Sequence, residues 1–156
     1  MVTIRRADRD DAERIGEIFA SSIRELAKDH YNEVQVASWS GGLSVEQIRS
    51  RIESGNTYVA EIDGAVVGFV ELNLDTRELE MVYVDPRYAR RGVGSAMVSF
   101  AEERARAAGV KTLHLRGSLN AVPFYEAMGY TVTERKIHCN AQGIEFECVI
   151  MEKRIA

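Results

Sequence analysis

The segment from Glu80 to Ala108 constrains the fold more than any other part of this chain. It has the pattern of a strand, a glycine-rich turn and a long amphipathic helix in direct succession. Met81–Val84 is apolar and partly β-branched, which is typical of a buried strand. Pro86 ends that strand because proline cannot donate to a β-ladder. Gly92 and Gly94 then open the helix.

The glycine turn predicts a binding site for phosphate groups. A turn of this kind at a helix start leaves backbone N–H groups unpaired, and the helix dipole adds positive potential. Arg87, Arg90 and Arg91 would place cationic side chains beside it. A tight turn with solvated arginines is the alternative that these residues leave open. The turn is not a P-loop, because the Gly-Lys-Ser/Thr ending is absent, and it lacks the third glycine of a dinucleotide fingerprint.

Two motifs, in order along the chain, resemble the GNAT superfamily of N-acetyltransferases. Val-Tyr-Val-Asp-Pro-x-Tyr-x-x-Arg-Gly-Val-Gly-Ser-Ala-Met is similar to the family's acetyl-CoA-binding motif. Ser-Leu-Asn-Ala-Val-Pro-Phe-Tyr-Glu-Ala-Met-Gly-Tyr, over residues 118–130, is similar to a later motif of the family. One position differs from the family's acetyl-CoA-binding motif, because this chain has Ala89 where the family usually has Gln or Arg. The likeness covers roughly the last hundred residues, and the first fifty match only in general layout.

The resemblance implies acetyl-CoA as co-substrate and assigns the residues that would hold it. In the family, the strand that matches this one splays from its neighbour, so its exposed backbone pairs with the pantetheine arm. That assigns Val82, Tyr83 and Val84 to cofactor contact; core packing of the valine side chains is compatible with this role, because the contacts use main chain. The amides around the glycine turn would hold the pyrophosphate: Arg90, Arg91, Gly92, Val93, Gly94 and Ser95.

Tyr125 matches the family's usual general acid for the departing thiolate. A phenol with a pKa near ~10 is protonated at neutral pH and suits this donation. The alternative is a helix tyrosine packed at the surface. Asn120 is expected to cap the same short helix, and the resemblance implies that it also touches the pantetheine arm.

Two carboxylates compete for the role of general base. Glu80 matches the position where several relatives carry a base, and Glu71 on the preceding strand is the second candidate. A carboxylate on a strand surface is also often a solvated group or an ion-pair partner. His30 and Tyr31 could serve the acceptor, because the loop after the first helix shapes that pocket in the family, although a histidine at a helix end is also often a partner of the helix dipole. Trp39 could line the acceptor pocket or fill the core, and the core is the expected place.

The periodicity along the chain predicts an α+β fold with a mixed, mostly antiparallel sheet of about seven strands flanked by four helices. Thr57–Ile62, Ala65–Leu74 and Leu79–Val84 form an antiparallel meander, which starts with a hairpin at Asp63-Gly64. The segment from Asp29 to Gly42 has no clear period and is expected to be a loop or a distorted helix. No linker divides the chain, so a single GNAT-like domain over residues 1–156 is expected.

The amino-acid composition restricts the classes of molecule that this chain is expected to bind. A net charge of −4 argues against bulk nucleic-acid binding, and 46% hydrophobic with 28% charged residues is typical of a soluble globular protein. Neither a signal peptide nor a membrane-spanning run is found, so a cytoplasmic location is expected. Cys139 and Cys148 are expected to be packed thiols. These cysteines lack metal or redox spacing, and His114 and His138 lack ligand spacing, so no metal site is predicted.

We therefore expect an N-acetyltransferase that moves an acetyl group from acetyl-CoA to a primary amine by direct transfer, with Tyr125 as acid and Glu80 as base. The acceptor is expected to be a small molecule, and protein N-termini and lysine side chains are the alternative acceptors. A non-catalytic acyl-CoA sensor and an interaction module that pairs through its strand edges are alternatives from other classes. A homodimer is compatible with each of them.

Overall fold

The computed structural model describes residues 1–156, which form one seven-stranded mixed sheet flanked by helices. The strands are β1 (Thr3–Arg6), β2 (Thr57–Ile62), β3 (Ala65–Asn73), β4 (Glu78–Val84), β5 (Thr112–Ser118), β6 (Thr131–Cys139) and β7 (Glu145–Arg154). Their order across the sheet is β1-β2-β3-β4-β5-β7-β6, and all neighbours are antiparallel except β4 and β5. This confirms the predicted α+β class, the mostly antiparallel sheet and the central meander.

Five α-helices accompany the sheet, so the prediction of four is wrong by one. They are α1 (Ala12–Leu26), α2 (Glu33–Ser40), α3 (Val45–Glu53), α4 (Val93–Ala107) and α5 (Val122–Ala127). The additional helix is α2, which lies in the segment expected to be a loop or a distorted helix. Asn32 caps α2 in a reciprocal pair with Gln35, and Val36 and Trp39 pack against buried residues.

Two apolar cores lie on opposite faces of the sheet. The neighbouring β2 residues Tyr58 and Val59 belong to different cores, as the alternation of side chains along a strand requires. The first core is built on α4 and the second on α1, with Met97 and Ile15 among their fully buried side chains. No helix in the chain has both the length and the apolar character that crossing a bilayer takes.

A buried carboxylate fastens α4 to the C-terminal strand. Glu102 accepts hydrogen bonds from the Tyr130 hydroxyl at 2.9 Å and from Lys153 Nζ at 3.0 Å. Burial is the main reason that the pKa of Tyr130 is raised, so its hydroxyl remains a donor at neutral pH.

Candidate active site

Strands β4 and β5 separate shortly after they meet. Their parallel pairing consists of Glu78 with His114 and Leu79 with Leu115. Beyond Leu79, β4 stays paired with β3 as far as Val84. The backbone groups of residues 80–84 that face β5 therefore have no strand partner, which leaves a gap in the sheet with free hydrogen-bonding groups along one side.

The turn before α4 has the backbone shape of an anion-binding loop. Gly92, at the helix N-cap, has φ +79°, Arg90 has φ +63°, and no side chain caps the helix. The first N–H groups of α4 are thus left without a side-chain partner. A Cβ on Gly94 would lie 3.1 Å from the ring of Phe124, so glycine permits close packing there. Arg87 binds Asp85 rather than extending over the turn.

Tyr125 lies on α5, and its side chain is buried, so the alternative of a surface tyrosine is wrong. Its ring makes edge-to-face contacts with Phe124 at 5.1 Å and with Tyr130 at 5.9 Å between centroids. Burial raises the pKa of Tyr125, and no hydrogen bond contributes to that shift. The phenol therefore keeps its proton and has it available for donation.

Asn120 does not cap α5 as its place in the sequence predicts. The N-cap of α5 is Ala121, without a side-chain hydrogen bond, because a 3-10 turn over Leu119–Ala121 precedes the helix. The Asn120 Oδ1 atom is buried and has no hydrogen-bond partner in the protein. An unsatisfied buried amide oxygen is costly, so its presence here favours a ligand that donates to it.

A cavity of about 470 Å³ opens at the gap and is lined by Tyr125, Glu80 and an aromatic wall. The wall consists of Tyr31, Trp39 and Phe146, whose ring centroids lie 5.6–6.1 Å apart. Trp39 contacts core residues and also lines this cavity, so it has both of the places that were considered for it.

Tyr31 is fixed by two backbone partners, whereas its neighbour His30 is exposed and does not line the cavity. The Tyr31 hydroxyl donates to the Glu147 carbonyl oxygen at 2.6 Å and accepts from the Leu119 N–H at 3.0 Å. These bonds join the loop after α1 to β7 and to the turn that carries Asn120. Tyr31 is therefore a fixed part of the cavity wall.

The two candidate bases belong to one cluster. Arg51 on α3 forms ion pairs with Glu71 and with Glu80, the second at 3.5 Å. Asn73 Nδ2 donates to Glu80 at 3.0 Å. Glu80 lines the cavity, whereas Glu71 is buried behind it, 5% exposed. Burial, and then the neighbouring Glu80, raises the pKa of Glu71 to about 7, so Glu71 tends to keep a proton.

The raised pKa of Glu71 predicts a dependence of stability on pH. A folded-state pKa above the unfolded value means that stability from this group is present at low pH and is lost as pH rises toward 7. Glu71→Gln is neutral at all pH values and should remove this contribution. Thermal unfolding is measured for the wild type and the variant from pH 5 to pH 8. We expect the melting temperature of Glu71→Gln minus that of the wild type to increase as the pH rises over this range. A difference that is constant with pH would contradict the prediction.

Sequence reasoning missed two arginines that line the cavity, Arg51 and Arg116. One lies on α3 and the other on β5, and no local pattern indicates that these elements meet the β4 strand. Among the cysteines, Cys148 is buried in the cavity wall as expected, whereas Cys139 is exposed. Cys148 faces Lys136 across the β6–β7 ladder, so the two cysteines are not opposite each other.

Comparison with known proteins agrees with this geometry. Residues 27–155 match the family model described as an acetyltransferase (GNAT) domain. The uncharacterized N-acetyltransferase YafP of Escherichia coli is 27% identical over 139 residues, which cover 88% of this chain and 87% of that protein. A crystal structure of a GCN5-related N-acetyltransferase from Rhodopseudomonas palustris has a TM-score of 0.92 at 29% identity, with 97% of this chain and 94% of the other covered. The PaiA N-acetyltransferase of Thermoplasma acidophilum, in complex with coenzyme A, has a TM-score of 0.78 at 22% identity, with 99% of each chain covered. Because the family model spans most of the sequence, the chain belongs to the GNAT family of acetyltransferases.

Proposed function

We propose that this protein uses acetyl-CoA to acetylate the primary amine of a small molecule by direct transfer, with residues 1–156 acting as one domain. The observation that carries the proposal is that the gap between β4 and β5 opens into a single cavity lined by both Glu80 and Tyr125. A carboxylate and a protonated phenol at one cavity are the acid–base pair that acyl transfer to an amine needs.

The residues around the gap fit the shape and chemistry of acetyl-CoA. The free backbone of Val82, Tyr83 and Val84 would pair with the pantetheine arm, and Asn120 Oδ1 would accept a hydrogen bond from one of its amide N–H groups. The amides from Arg90 to Ser95 would hold the pyrophosphate at the uncapped start of α4. Acetyl-CoA supplies the acetyl group as a thioester.

Side chains of the protein carry out the proton transfers of the reaction. Glu80 accepts a proton from the incoming ammonium group, and Arg51 and Asn73 hold that carboxylate at the cavity wall. A backbone N–H on the free side of β4 polarises the carbonyl to be attacked. Tyr125 gives its proton to the departing sulfur as the C–N bond forms and the C–S bond breaks, and the second proton that the new amide nitrogen loses restores the Tyr125 phenol.

The cavity favours a small acceptor over a protein chain. A volume of about 470 Å³ lies within the range of about 300–1,000 Å³ that is usual for small-molecule sites. Aromatic side chains enclose one side of it, which suits a compact amine with an apolar body.

Isothermal titration with acetyl-CoA tests the cofactor assignment. We expect a dissociation constant in the micromolar range, and Arg90→Gln should weaken it roughly twofold to fivefold, since an exposed charge contact contributes at most about 1 kcal/mol. Glutamine and arginine both have to adopt the positive φ at position 90, so the conformational strain of the backbone is the same in the variant and in the wild type. Arg135→Gln is the control, because Arg135 is also an exposed arginine and does not line the cavity.

Thiol-release assays and acetyl-CoA binding together distinguish an enzyme from a sensor and from an interaction module. Acetyl-CoA-dependent release of free thiol with a panel of small amines supports the enzyme. Tight binding without turnover of any amine, peptide N-terminus or lysine peptide would favour a sensor. An absence of binding heat, together with an unchanged melting temperature at excess acetyl-CoA, would overturn the proposal and favour an interaction module.

A further inference from the structure

The two arginines that line the cavity differ in their partners. Arg51 is paired with the carboxylate of Glu80 and also contacts the Glu71 side chain. Arg116 makes no ion pair, and its one side-chain partner is His138, with Arg116 Nη1 lying 3.2 Å from His138 Nδ1. Arginine is a donor only, so the unprotonated Nδ1 accepts this hydrogen bond. The cavity thus contains a guanidinium whose charge no carboxylate of the protein balances.

His138 orients Arg116 without cancelling its charge. Burial, and then the nearby guanidinium, lowers the pKa of His138 below its usual range. The imidazole is therefore neutral at neutral pH and serves as an acceptor that fixes the position of Arg116. Cys148, in the same wall, is also uncharged, because burial raises the pKa of its thiol. Arg116 accordingly keeps a full positive charge and free N–H donors for a ligand.

The register of the sheet places Arg116 across the gap from Glu80. Leu79 and Leu115 are the last paired residues of β4 and β5, and Glu80 and Arg116 each follow by one position. Glu80 is the extra residue of a β-bulge in β4, because consecutive residues of β3 pair with Leu79 and with Met81, so the alternation of side chains is interrupted there. The side chains of Glu80 and Arg116 both line the cavity, while the two strands diverge between them. An acidic group and a cationic group thus lie on opposite sides of one opening.

We propose that the acceptor carries a carboxylate in addition to its amine, on an aromatic or similarly large apolar body, and that Arg116 binds this carboxylate. The acceptor class is therefore that of aromatic amino acids and related aminocarboxylates. A guanidinium can bind a carboxylate through two parallel hydrogen bonds, while the wall of Tyr31, Trp39 and Phe146 packs against the apolar body. This inference rests on the proposed acetyl transfer, because it places the amine at Glu80.

The test compares acceptors that differ only in the carboxylate. L-Phenylalanine, L-tryptophan and L-tyrosine are assayed against phenethylamine, tryptamine and tyramine, with thiol release as the readout. We expect kcat/KM for at least one amino acid to exceed that of its decarboxylated partner by about threefold to tenfold, because Arg116 is an exposed side chain and a bidentate contact to an exposed guanidinium is only moderately strong. Arg116→Gln should abolish this preference, and Arg116→Lys should retain part of it. Arg135→Gln should leave it unchanged.

A binding measurement gives a readout that is independent of turnover. In the presence of coenzyme A, 3-phenylpropanoate should bind the wild-type protein at least about threefold more tightly than 3-phenylpropanamide, and Arg116→Gln should remove the difference. Equal binding of the two compounds, or no preference for amino acids over amines, overturns the inference. If acetyl-CoA still binds and simple amines are acetylated, only this inference fails. If acetyl-CoA does not bind at all, the proposed function fails with it.

Discussion

Replacing Tyr125 with phenylalanine is expected to lower kcat about a hundredfold to a thousandfold, while the dissociation constant of acetyl-CoA stays within about twofold of the wild-type value. The ring that packs against Phe124 and Tyr130 is retained, so the fold should not change. The phenol hydroxyl alone is lost, and with it the proton that the departing thiolate needs. Steady-state kinetics and titration calorimetry on the same preparation measure both quantities.

Tyr130→Phe is the matched control for this experiment. It removes a tyrosine hydroxyl that hydrogen-bonds to Glu102 at 2.9 Å, away from the residues that line the cavity. We expect a lower melting temperature, because a buried carboxylate loses a donor, and a kcat within about twofold of wild type. If Tyr125→Phe turned over as fast as the wild type, Tyr125 would not be the acid.

Replacing Asp85 with alanine is expected to destabilise the fold by about 3 kcal/mol. Asp85 follows β4 and is 3% exposed. It accepts from Arg14 Nη2 at 2.6 Å and from the Arg87 backbone N–H at 2.9 Å. Its removal leaves the Arg14 guanidinium, which is anchored to the Val66 carbonyl, without a counter-charge. For a chain of this size the melting temperature should fall by roughly 6–12 °C in calorimetry.

Glu53→Ala controls for the effect of burial. Glu53 binds Arg9 at the same distance of 2.6 Å, but both side chains are exposed. Exposed pairs contribute at most about 1 kcal/mol, so the melting temperature should change by only a few degrees. Equal losses for the two variants would contradict the argument.

The Asp85 contribution should also depend on pH in a defined direction. Hydrogen bonds from Arg87 first, and then from Arg14, hold the pKa of Asp85 well below its usual range. A lowered folded-state pKa means that the stability is present above the unfolded pKa and is lost as pH falls below it. The difference between the wild type and Asp85→Ala should therefore shrink in acid.

The amino-acid sequence alone determined the elements whose cause is local. The strand before Asp85, the positive φ at Gly92 and the helix that follows are set by side-chain periodicity and by the conformations that proline and glycine permit. Helix α3 likewise has a local cause at its start, because the Ser44 side chain accepts from the Gln47 N–H and caps it. These features act over a few residues, so they can be read without knowing what the segment packs against.

Helix α2 shows where local patterns are insufficient. Its apolar residues follow no helical period, and none of its residues is fully buried. It is stabilised by the Asn32–Gln35 cap and by the contact of Trp39 with Tyr31 and with Phe146, the second of which comes from the distant strand β7. Such a helix depends on its surroundings, since short isolated helices are marginal in water.

The sequence by itself therefore determined the family motifs, the glycine turn and the identity of Tyr125 and Glu80 as candidate catalytic groups. Only the tertiary structure decided that Asn120 is an unsatisfied amide rather than a helix cap, and that Arg51 holds Glu71 and Glu80 together. It alone brought Arg116 beside His138. The physical reason is that turns and periodic faces depend on neighbouring residues, whereas burial, ion pairing and strand order depend on groups that meet only after the chain has folded.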